Sequence, residues 1–436
     1  MANLLLSRGH EVICLFSEAF QEGLADLRAD IISNAPGVRV ASFHVPSPCA
    51  ACAPDNAWRQ MAARMLREHA IACLEPEFVH VPALLADGWG DDAIGSIGVL
   101  GVRAPTSLTQ YDLIPLVMSD IYMPPGAFRD YYMKKLEGVK QADLLLAISE
   151  YSQREAIEWL GMQSEDIVHI SFAADSKFAE EPAGGLHDVE RTVSKYGLRP
   201  GYLLYAPGGF DARKNMDRLL EAYSLLPEDV RGRHQLAIAS KLHEGVRAGI
   251  EWKAGTFGVQ ASEIVLMDYV PDEDLMHLYR ACHAYVFPSL HEGFGLPALE
   301  AMFCGAPVIA SNCTSIPEVM EMDEALFDPY DPQSMAAKIL QVIHDPDFRQ
   351  RLIAHAAIQP HKFSWATSAE LAVSALERKH AALKNAGWHS TPVANLPTCE
   401  DMLARLAKLV ANVQPSEEDL ELFRACLKAN LKAKCI

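Results

Sequence analysis

Short apolar runs alternate with amphipathic stretches along most of the chain, which is the pattern of strands covered by helices. In the first half, the apolar run 143–148 is followed by helical periodicity over 153–160. The second half repeats this alternation, beginning with an apolar run near Tyr202. Because such alternation is typical of parallel sheets with helices on both faces, we predict an α/β fold with Rossmann-like domains.

The predicted elements follow the same periodicity. Predicted strands lie at 10–16, 38–43, 77–81, 105–112, 143–148, 167–170, 235–239, 264–266, 285–288 and 307–310. Predicted helices lie at 57–74, 131–142, 153–160 and 216–226. Residues 4–9 are predicted to end a helix, with Gly9 as its stop, so the first predicted element is a helix and not a strand.

Composition divides the chain into units. Residues 180–185 contain a proline and paired glycines and predict a hinge. We therefore assign the units as a first domain at 1–182, a linker at 183–200, a second domain at 201–362, an alanine-rich helix at 363–386 and a helical appendage at 397–436. The last predicted helix opens with a capping-box-like sequence.

Residues 289–300 concentrate the candidate chemistry of the chain. They follow the apolar run 284–287 and place Pro297 at a predicted helix start, so we expect a strand end, a loop and a helix. The N–H groups of a helix start favour an anion such as phosphate. Glu292 in the loop and Glu300 one turn into the helix would accept hydrogen bonds from sugar hydroxyls. The combination fits a nucleotide-sugar, although two glutamates at this spacing also occur often by chance.

A second strand–turn–helix unit supports this interpretation. The apolar run 202–206 leads through Gly208 and Gly209 to the adjacent cations Arg213 and Lys214, which precede an amphipathic helix. Two cations at the start of a neighbouring unit would clamp a diphosphate that sits on the amides of the first segment. Taken alone, an Arg-Lys pair is more often a solvated surface charge.

Together the two segments resemble the retaining glycosyltransferases of family 4, which have the GT-B architecture of two facing Rossmann-like domains. The resemblance rests on the glycine turn that leads to Arg213-Lys214-Asn215 and on the run Glu292-Gly293-Phe294-Gly295-Leu296-Pro297 with Glu300 beyond it. It extends over about residues 4–376. In that family a first strand and a glycine loop precede the helix that ends here at Gly9, so the first domain is predicted to lack its usual first strand.

The resemblance implies a role for each candidate residue. Arg213 and Lys214 would stabilise the departing diphosphate, Glu292 would hold sugar hydroxyls and Glu300 the ribose diol. Asp112, the fourth catalytic candidate, would bind acceptor, in a segment where Tyr111 replaces a common histidine. The other expected donor contacts are Gly208, Gly209, Asn215, Tyr269, Val270, Pro271, His291, Gly293, Phe294, Gly295 and Leu296. Asp112 is about equally well explained as a turn cap, and His291 is better explained as a structural histidine.

The implied activity is a retaining, metal-independent transfer of a hexose from a nucleotide-diphosphate sugar, with GDP-mannose favoured, to a glycan or polyprenyl-linked acceptor in surface polysaccharide synthesis. A UDP-sugar or a deoxysugar donor stays open. No cofactor and no metal site is expected. Cys49 and Cys52 form a local pair, but no further ligand stands at zinc-site spacing.

Bulk properties limit the class of partner. The 436 residues are 50% hydrophobic and 22% charged, as expected for globular domains. The formal charge of −19 argues against nucleic acid. No apolar run reaches the roughly 20 residues that span a bilayer, and no secretory signal opens the chain. We expect a cytoplasmic location, with contact at the inner membrane face and further glycosyltransferase modules left open.

Arg424, Lys428 and Lys432 share one face of the last predicted helix. This face hints at a partner or a membrane surface, but an ordinary solvated face explains it better.

Two other functions compete with an active transferase. The predicted loss of the first strand suggests a degenerate, non-catalytic module or a fragment of a larger multidomain glycosyltransferase. A Rossmann dehydrogenase is disfavoured because no Gly-x-Gly-x-x-Gly follows a first strand and no acidic residue stands about 20 residues beyond one.

Overall fold

The computed structural model describes residues 1–85, 87–92, 94–179 and 185–432. Within them, three sheets are built from parallel pairings throughout. The strands are β1 (Ile13–Ser17), β2 (Arg39–Phe43), β3 (Val79–Val81), β4 (Thr106–Gln110), β5 (Leu144–Ala147), β6 (Ile167–His169), β7 (Leu203–Tyr205), β8 (Leu236–Ala239), β9 (Ile264–Met267), β10 (Ala284–Phe287), β11 (Val308–Ser311) and β12 (Leu326–Phe327).

Helices connect and cover these strands. They are α1 (Ala2–Ser7), α2 (Leu24–Asn34), α3 (Ala57–Cys73), α4 (Ile114–Val117), α5 (Ser119–Tyr122), α6 (Ala127–Val139), α7 (Glu150–Leu160), α8 (Gly185–Lys195), α9 (Met216–Ser224), α10 (Glu228–Arg233), α11 (Glu244–Thr256), α12 (Asp272–Ala281), α13 (Leu296–Phe303), α14 (Ile316–Met320), α15 (Pro332–His344), α16 (Pro346–Ala356), α17 (Trp365–Asn385), α18 (Cys399–Leu409) and α19 (Glu417–Lys432).

The first domain contains two separate sheets. β1 pairs with β2, with Leu15 opposite Ala41, and the other sheet has the order β3-β4-β5-β6. Every residue of β5 is buried, as its unbroken apolar run predicted, whereas every residue of β1 is partly exposed. The alternation of elements identified these strands but not which strand pairs with which, because pairing is decided by contacts distant in sequence.

The second domain is one continuous sheet of order β12-β11-β10-β7-β8-β9. β7, β8, β10 and β11 are buried along their whole length, because helices cover both faces. β10 pairs directly with β7, with Tyr285 opposite Leu204. Parallel neighbours end at the same edge, so the loops after β7 and β10 leave the sheet side by side. This pairing places the two candidate segments together.

The linker assignment needs correction. Residues 180–184, which include most of the predicted hinge and the boundary at 182, lie outside the described residues. Much of the span assigned as linker, 183–200, is helix α8, whose Val189 and Val193 are buried, Val193 within the core of the second domain. Valines at i and i+4 make an apolar stripe, so this span packs against the domain as a helix.

Helix α17 crosses from the second domain to the first. It packs against the β5–β6 region, and Lys384 at its end lies 2.9 Å from Glu77. Its buried contacts join Ala372, Ala375 and Leu376 to Leu144, Leu146 and Ile170. The predicted helix at 363–386 therefore links the two domains physically.

The predicted appendage packs as part of the first domain. α18 and α19 lie on α3, where the rings of Trp58 and Phe423 are 6.0 Å apart. The side-chain amide of Asn430 pairs with both backbone groups of His44, at 2.7 and 3.1 Å. Arg424 and Lys428 are exposed, and the Lys432 side chain lies outside the described residues.

Candidate active site

The loop after β7 presents the two cations on a short 3-10 helix, Ala212–Lys214. Asp211 caps this turn, because its carboxylate accepts a hydrogen bond from the Arg213 N–H at 3.0 Å. Asn215 follows in the left-handed conformation, with φ of +63°. Its amide donates to the carbonyl of Pro288 at 3.0 Å, so the cation loop is fastened to the loop after β10.

The loop after β10 is held by small polar side chains. Gly295 takes a φ of +113° and precedes α13, with Pro297 in the first turn as predicted. The hydroxyl oxygen of Ser315 lies 2.9 Å from the carbonyl oxygens of both Glu292 and Phe294, so its single proton is shared between these two acceptors. These bonds fix the backbone of the motif before any ligand is present.

The structure brings Arg213, Lys214 and Glu292 into one cluster. Nη1 of Arg213 and Nζ of Lys214 each lie 2.7 Å from a different carboxylate oxygen of Glu292. Nη1 of Arg213 also donates to the carbonyl of His291 at 3.0 Å. The cationic dipeptide and the motif loop therefore share one site, and one carboxylate joins both cations.

This arrangement differs from a free cationic clamp. Burial lowers the pKa of the Lys214 ammonium, while Glu292 opposes that shift. Burial alone would also lower the pKa of Arg213, but the carboxylates of Glu292 and Asp211 together raise it above its ordinary value. The expected clamp is thus largely neutralised by its own carboxylates, a balance that the order of residues did not reveal.

The first domain reaches this cluster at Gly293. A Cβ at Gly293 would lie 2.5 Å from the carbonyl oxygen of Tyr111 and 3.0 Å from Cβ of Asp112. The small size of Gly293 therefore serves the contact between domains, at a residue for which the resemblance implied a donor contact. Asp112 accepts a hydrogen bond from the Ile114 N–H at 3.1 Å, so it does cap the next turn.

Glu300 occupies a different setting on α13. Burial, with Asp272 next in importance, raises the pKa of Glu300 to about 7. Asp272 directly follows Pro271, so the Glu300 carboxyl lies near the expected donor contacts Tyr269, Val270 and Pro271. Tyr269 in that segment is 70% exposed, and Val270 is partly buried.

Residues 268–274 form an acidic segment. Its last three residues form the first turn of α12, where carboxylates are favoured by the helix dipole. Lys177 lies 2.6 Å from Asp272, and Lys195 lies 2.6 Å from Asp274. Two carboxylates of the acidic segment are therefore paired with lysines. The sequence did not indicate the start of α12.

His291 is buried, as expected for a structural histidine, but its partner comes from the other domain. Its Nε2 lies 2.8 Å from Oε1 of Glu155 on α7, at ion-pair distance without the alignment of a hydrogen bond. The remaining predicted donor residues lie around the same loops: Gly208 and Gly209 in the open turn after β7, and Phe294 and Leu296 before and at the start of α13.

Sequence reasoning missed residues that contact the cluster from elsewhere. The hydroxyl of Tyr122, in the first domain, donates to Asp211 at 2.6 Å. The hydroxyl of Thr314 accepts from the Glu292 N–H at 3.1 Å. Asp211 could have been found from the sequence, because an aspartate directly before a helical turn is a preferred N-cap. Tyr122 could not have been found from the sequence, since its contact with Asp211 depends on how the two domains pack together.

Within the described ranges, no group of three or more His, Cys, Asp or Glu side chains is arranged to hold a metal ion. None of the described helices combines the length and the apolar character needed to cross a bilayer. Cys49 is buried, and burial raises the pKa of its thiol to about 12.

The family model "Glycosyl transferases group 1" matches residues 193–359, which contain both candidate loops. The O-antigen chain mannosyltransferase B of Escherichia coli is 36% identical over 266 residues, which cover 60% of this chain and 68% of that protein. This chain belongs to the group 1 glycosyltransferases. The serotype-specific mannosyltransferase WbdA of Escherichia coli is 37% identical over 336 residues, 77% of this chain. The matched region is 41% of WbdA, so the chain spans about two fifths of that relative.

Solved structures confirm the predicted architecture. A glycosyltransferase from Rickettsia africae superimposes with a TM-score of 0.61 at 16% identity, covering 86% of this chain and 99% of that one. Sucrose-phosphate synthase from Thermosynechococcus elongatus also gives 0.61, at 19% identity, over 86% of this chain and 100% of that one. The chain therefore has the GT-B fold, with a helical C-terminal region.

Proposed function

We propose that the chain is a retaining, metal-independent hexosyltransferase of family 4. It would move mannose from GDP-mannose to a glycan or polyprenyl-linked acceptor in surface polysaccharide synthesis. The observation that carries the proposal is the cluster in which Glu292 joins Arg213 and Lys214 where the two domains meet. Such a cluster can exchange partners when a diphosphate enters.

The chemistry follows from the charges. In the transfer, the bond between the anomeric carbon and the diphosphate oxygen breaks, and the acceptor hydroxyl oxygen forms a new bond on the same face of the sugar. The acceptor proton passes to the departing phosphate oxygen. Arg213, Lys214 and the first amides of α13 would stabilise the negative charge that develops on that phosphate. Stabilising the charge that develops on a leaving group is usually the largest single contribution of an active site to the rate of reaction.

The roles of the carboxylates follow from their settings. Glu292, released from the cations by the incoming phosphate, would accept hydrogen bonds from sugar hydroxyls. Glu300, beside the Tyr269–Pro271 segment, would accept from the ribose diol. Asp112 lies against the Glu292–Gly293 loop from the first domain and is the candidate for acceptor binding. The names of the relatives support mannose as the transferred sugar.

The proposal includes the setting in which the chain works. A cytoplasmic location is proposed, with the acceptor presented at the inner face of the membrane. The chain corresponds to about two fifths of WbdA, which supports the proposal of further glycosyltransferase modules in the full-length protein.

Calorimetric titration with GDP-mannose, UDP-glucose, ADP-glucose and a dTDP-sugar tests the donor. We expect GDP-mannose to bind most tightly, because the Arg213-Lys214-Asn215 and Leu296-Pro297 variants of the two motifs resemble those of mannosyltransferases. Equal or tighter binding of another nucleotide would overturn the choice of donor.

Turnover is tested on the same protein with GDP-mannose and mannose-terminated oligosaccharides. Proton NMR of the product should show the α-anomer, as in the donor, and EDTA should leave the rate unchanged. A β-anomer would contradict retention, and loss of rate with EDTA would contradict metal independence. Binding without any transfer or donor hydrolysis would instead support the non-catalytic module.

A further inference from the structure

The first turn of helix α7 in the first domain is bonded to the motif loop of the second. The hydroxyl of Ser149 donates to the carbonyl of Gly293 at 2.6 Å, and the hydroxyl of Ser152 lies 3.1 Å from the same oxygen. Both serines are buried. Gly293 directly follows Glu292, so α7 holds the residue next to the carboxylate that joins the two cations.

Glu318 makes the reverse connection, from α14 of the second domain to α7. The N–H groups of Glu150 and Tyr151 donate to its two carboxylate oxygens, at 2.8 and 3.0 Å. These N–H groups have no partner within their own helix, and the helix dipole favours a negative charge beside them. Glu318 is therefore an N-terminal cap supplied by the opposite domain.

Glu155 adds a third connection, one turn further along α7. Its Oε1 lies 2.8 Å from Nε2 of His291, and both side chains are buried. Its Oε2 accepts a hydrogen bond from the Leu113 N–H at 3.3 Å, next to Asp112. If the domains separated, the contact between Glu155 and His291 would break. Glu318 would also lose the hydrogen bonds from the N–H groups of Glu150 and Tyr151.

We propose that Glu318 and Glu155 are positioning residues that hold the loop 289–295 against the first domain. Both residues act indirectly, through the position of Glu292. The loop 289–295 determines where the Glu292 carboxylate lies relative to Arg213 and Lys214. The nucleotide is expected on the second domain, so these two residues should affect the transfer step more than nucleotide binding. The effect on turnover rests on the proposed function, whereas the effect on the loop does not.

The variants Glu318→Gln and Glu155→Gln test this inference, with Ser149→Ala as a third probe. The two glutamine variants are nearly isosteric and each removes a charge. Ser149→Ala removes the hydrogen bond to Gly293 together with the cap bond that the Ser149 hydroxyl accepts from the Ser152 N–H at 2.9 Å. Glu324→Gln is the matched control, because Glu324 pairs with Arg351 on the exposed surface of the second domain. Hydrogen–deuterium exchange of the ligand-free proteins would follow segments 149–155 and 289–295. Thermal melting would verify folding.

For Glu318→Gln we expect exchange at the amides of Glu150 and Tyr151 to rise about tenfold, since one acceptor is lost, with faster exchange in 289–295. We expect kcat to fall about tenfold, with KM for GDP-mannose and Kd for GDP within about twofold of the parent. Glu155→Gln and Ser149→Ala should accelerate exchange in the same loop. Glu324→Gln should match the parent in every measurement.

Parent-like exchange in 289–295 for all three variants would overturn the inference. So would a loss of GDP affinity as large as the loss of kcat, because that result would indicate a general weakening of the second domain. If the parent transfers no sugar, the proposed function fails, but the exchange measurements still decide whether these residues hold the loop.

Discussion

The two glutamates of the donor motif, eight positions apart in the chain, occupy opposite electrostatic settings. Glu292 lies 2.7 Å from each of two cations, whereas burial, followed by the charge of Asp272, raises the pKa of Glu300 to about 7. Glu292 therefore has two cationic partners, whereas burial disfavours the charged form of Glu300. The comparison shows that identical residues in one motif have different chemistry because of side chains distant in sequence.

The first prediction removes a cation from the Glu292 end. Lys214→Ala should lower transfer at least about 100-fold, because it removes the buried ammonium that is proposed to stabilise the leaving phosphate. The change also leaves Glu292 with one cation, and breaking a buried pair costs about 3–5 kcal/mol, so stability should fall too. Turnover and chemical denaturation measure the two effects.

Lys362→Ala is the control for this prediction, because Lys362 forms an exposed ion pair with Glu321. It should lose little in either measurement. Parent-like transfer by Lys214→Ala would remove Lys214 from the site.

The second prediction tests contact between the domains at the Glu292 end. Gly293→Ala would place a Cβ 2.5 Å from the backbone carbonyl of Tyr111, and neither backbone can yield cheaply. Overpacking costs about 1–3 kcal/mol. We expect kcat/KM to fall about 10- to 100-fold, since each 1.36 kcal/mol is tenfold in rate. Gly249→Ala, in open space on α11, is the control, and similar rates in both variants would show that the domains need not close at Gly293.

The third prediction concerns the Glu300 end and its pH dependence. If the charged carboxylate binds the ribose diol, affinity for GDP should fall up to about tenfold per pH unit below pH 7, as the group is protonated. Glu300→Gln should bind GDP more weakly at pH 8 and show no such dependence, while the exposed Glu251→Gln should behave as the parent. Calorimetry between pH 6 and 8 measures this. A pH-independent parent would contradict a role for the charged form.

Glu300→Gln should weaken GDP binding at pH 8 but increase the free energy of unfolding at the same pH. The pKa of Glu300 in the folded protein, about 7, lies above its ordinary value of 4.5. Between these values the folded state retains a proton that the unfolded chain releases, so stability falls as pH rises through this window. Glu300→Gln should therefore be more stable than the parent at pH 8, by about 1–2 kcal/mol in chemical denaturation. Equal stability would indicate that Glu300 is better solvated than its surroundings imply.

Much of the second domain was predictable from the sequence. The apolar runs at 203–205 and 284–287 identified β7 and β10, since fully buried parallel strands must be apolar on both faces. Pro297 indicated the start of α13. The predicted helices did not include α8 or α12. The span of α8 follows a proline and paired glycines that resemble a linker, and α12 opens with three acidic residues.

The sequence by itself determined the fold class, the family and the two loops that form the site, because these depend on local periodicity and on motif residues at fixed spacing. Only the tertiary structure decided that Glu292 joins Arg213 and Lys214, that Gly293 packs against Tyr111, and that α7 is capped by Glu318. Each of these contacts joins residues at least 78 positions apart, as the 213–292 and 214–292 pairs show. Charge state and contact between domains depend on such neighbours, which no local pattern encodes.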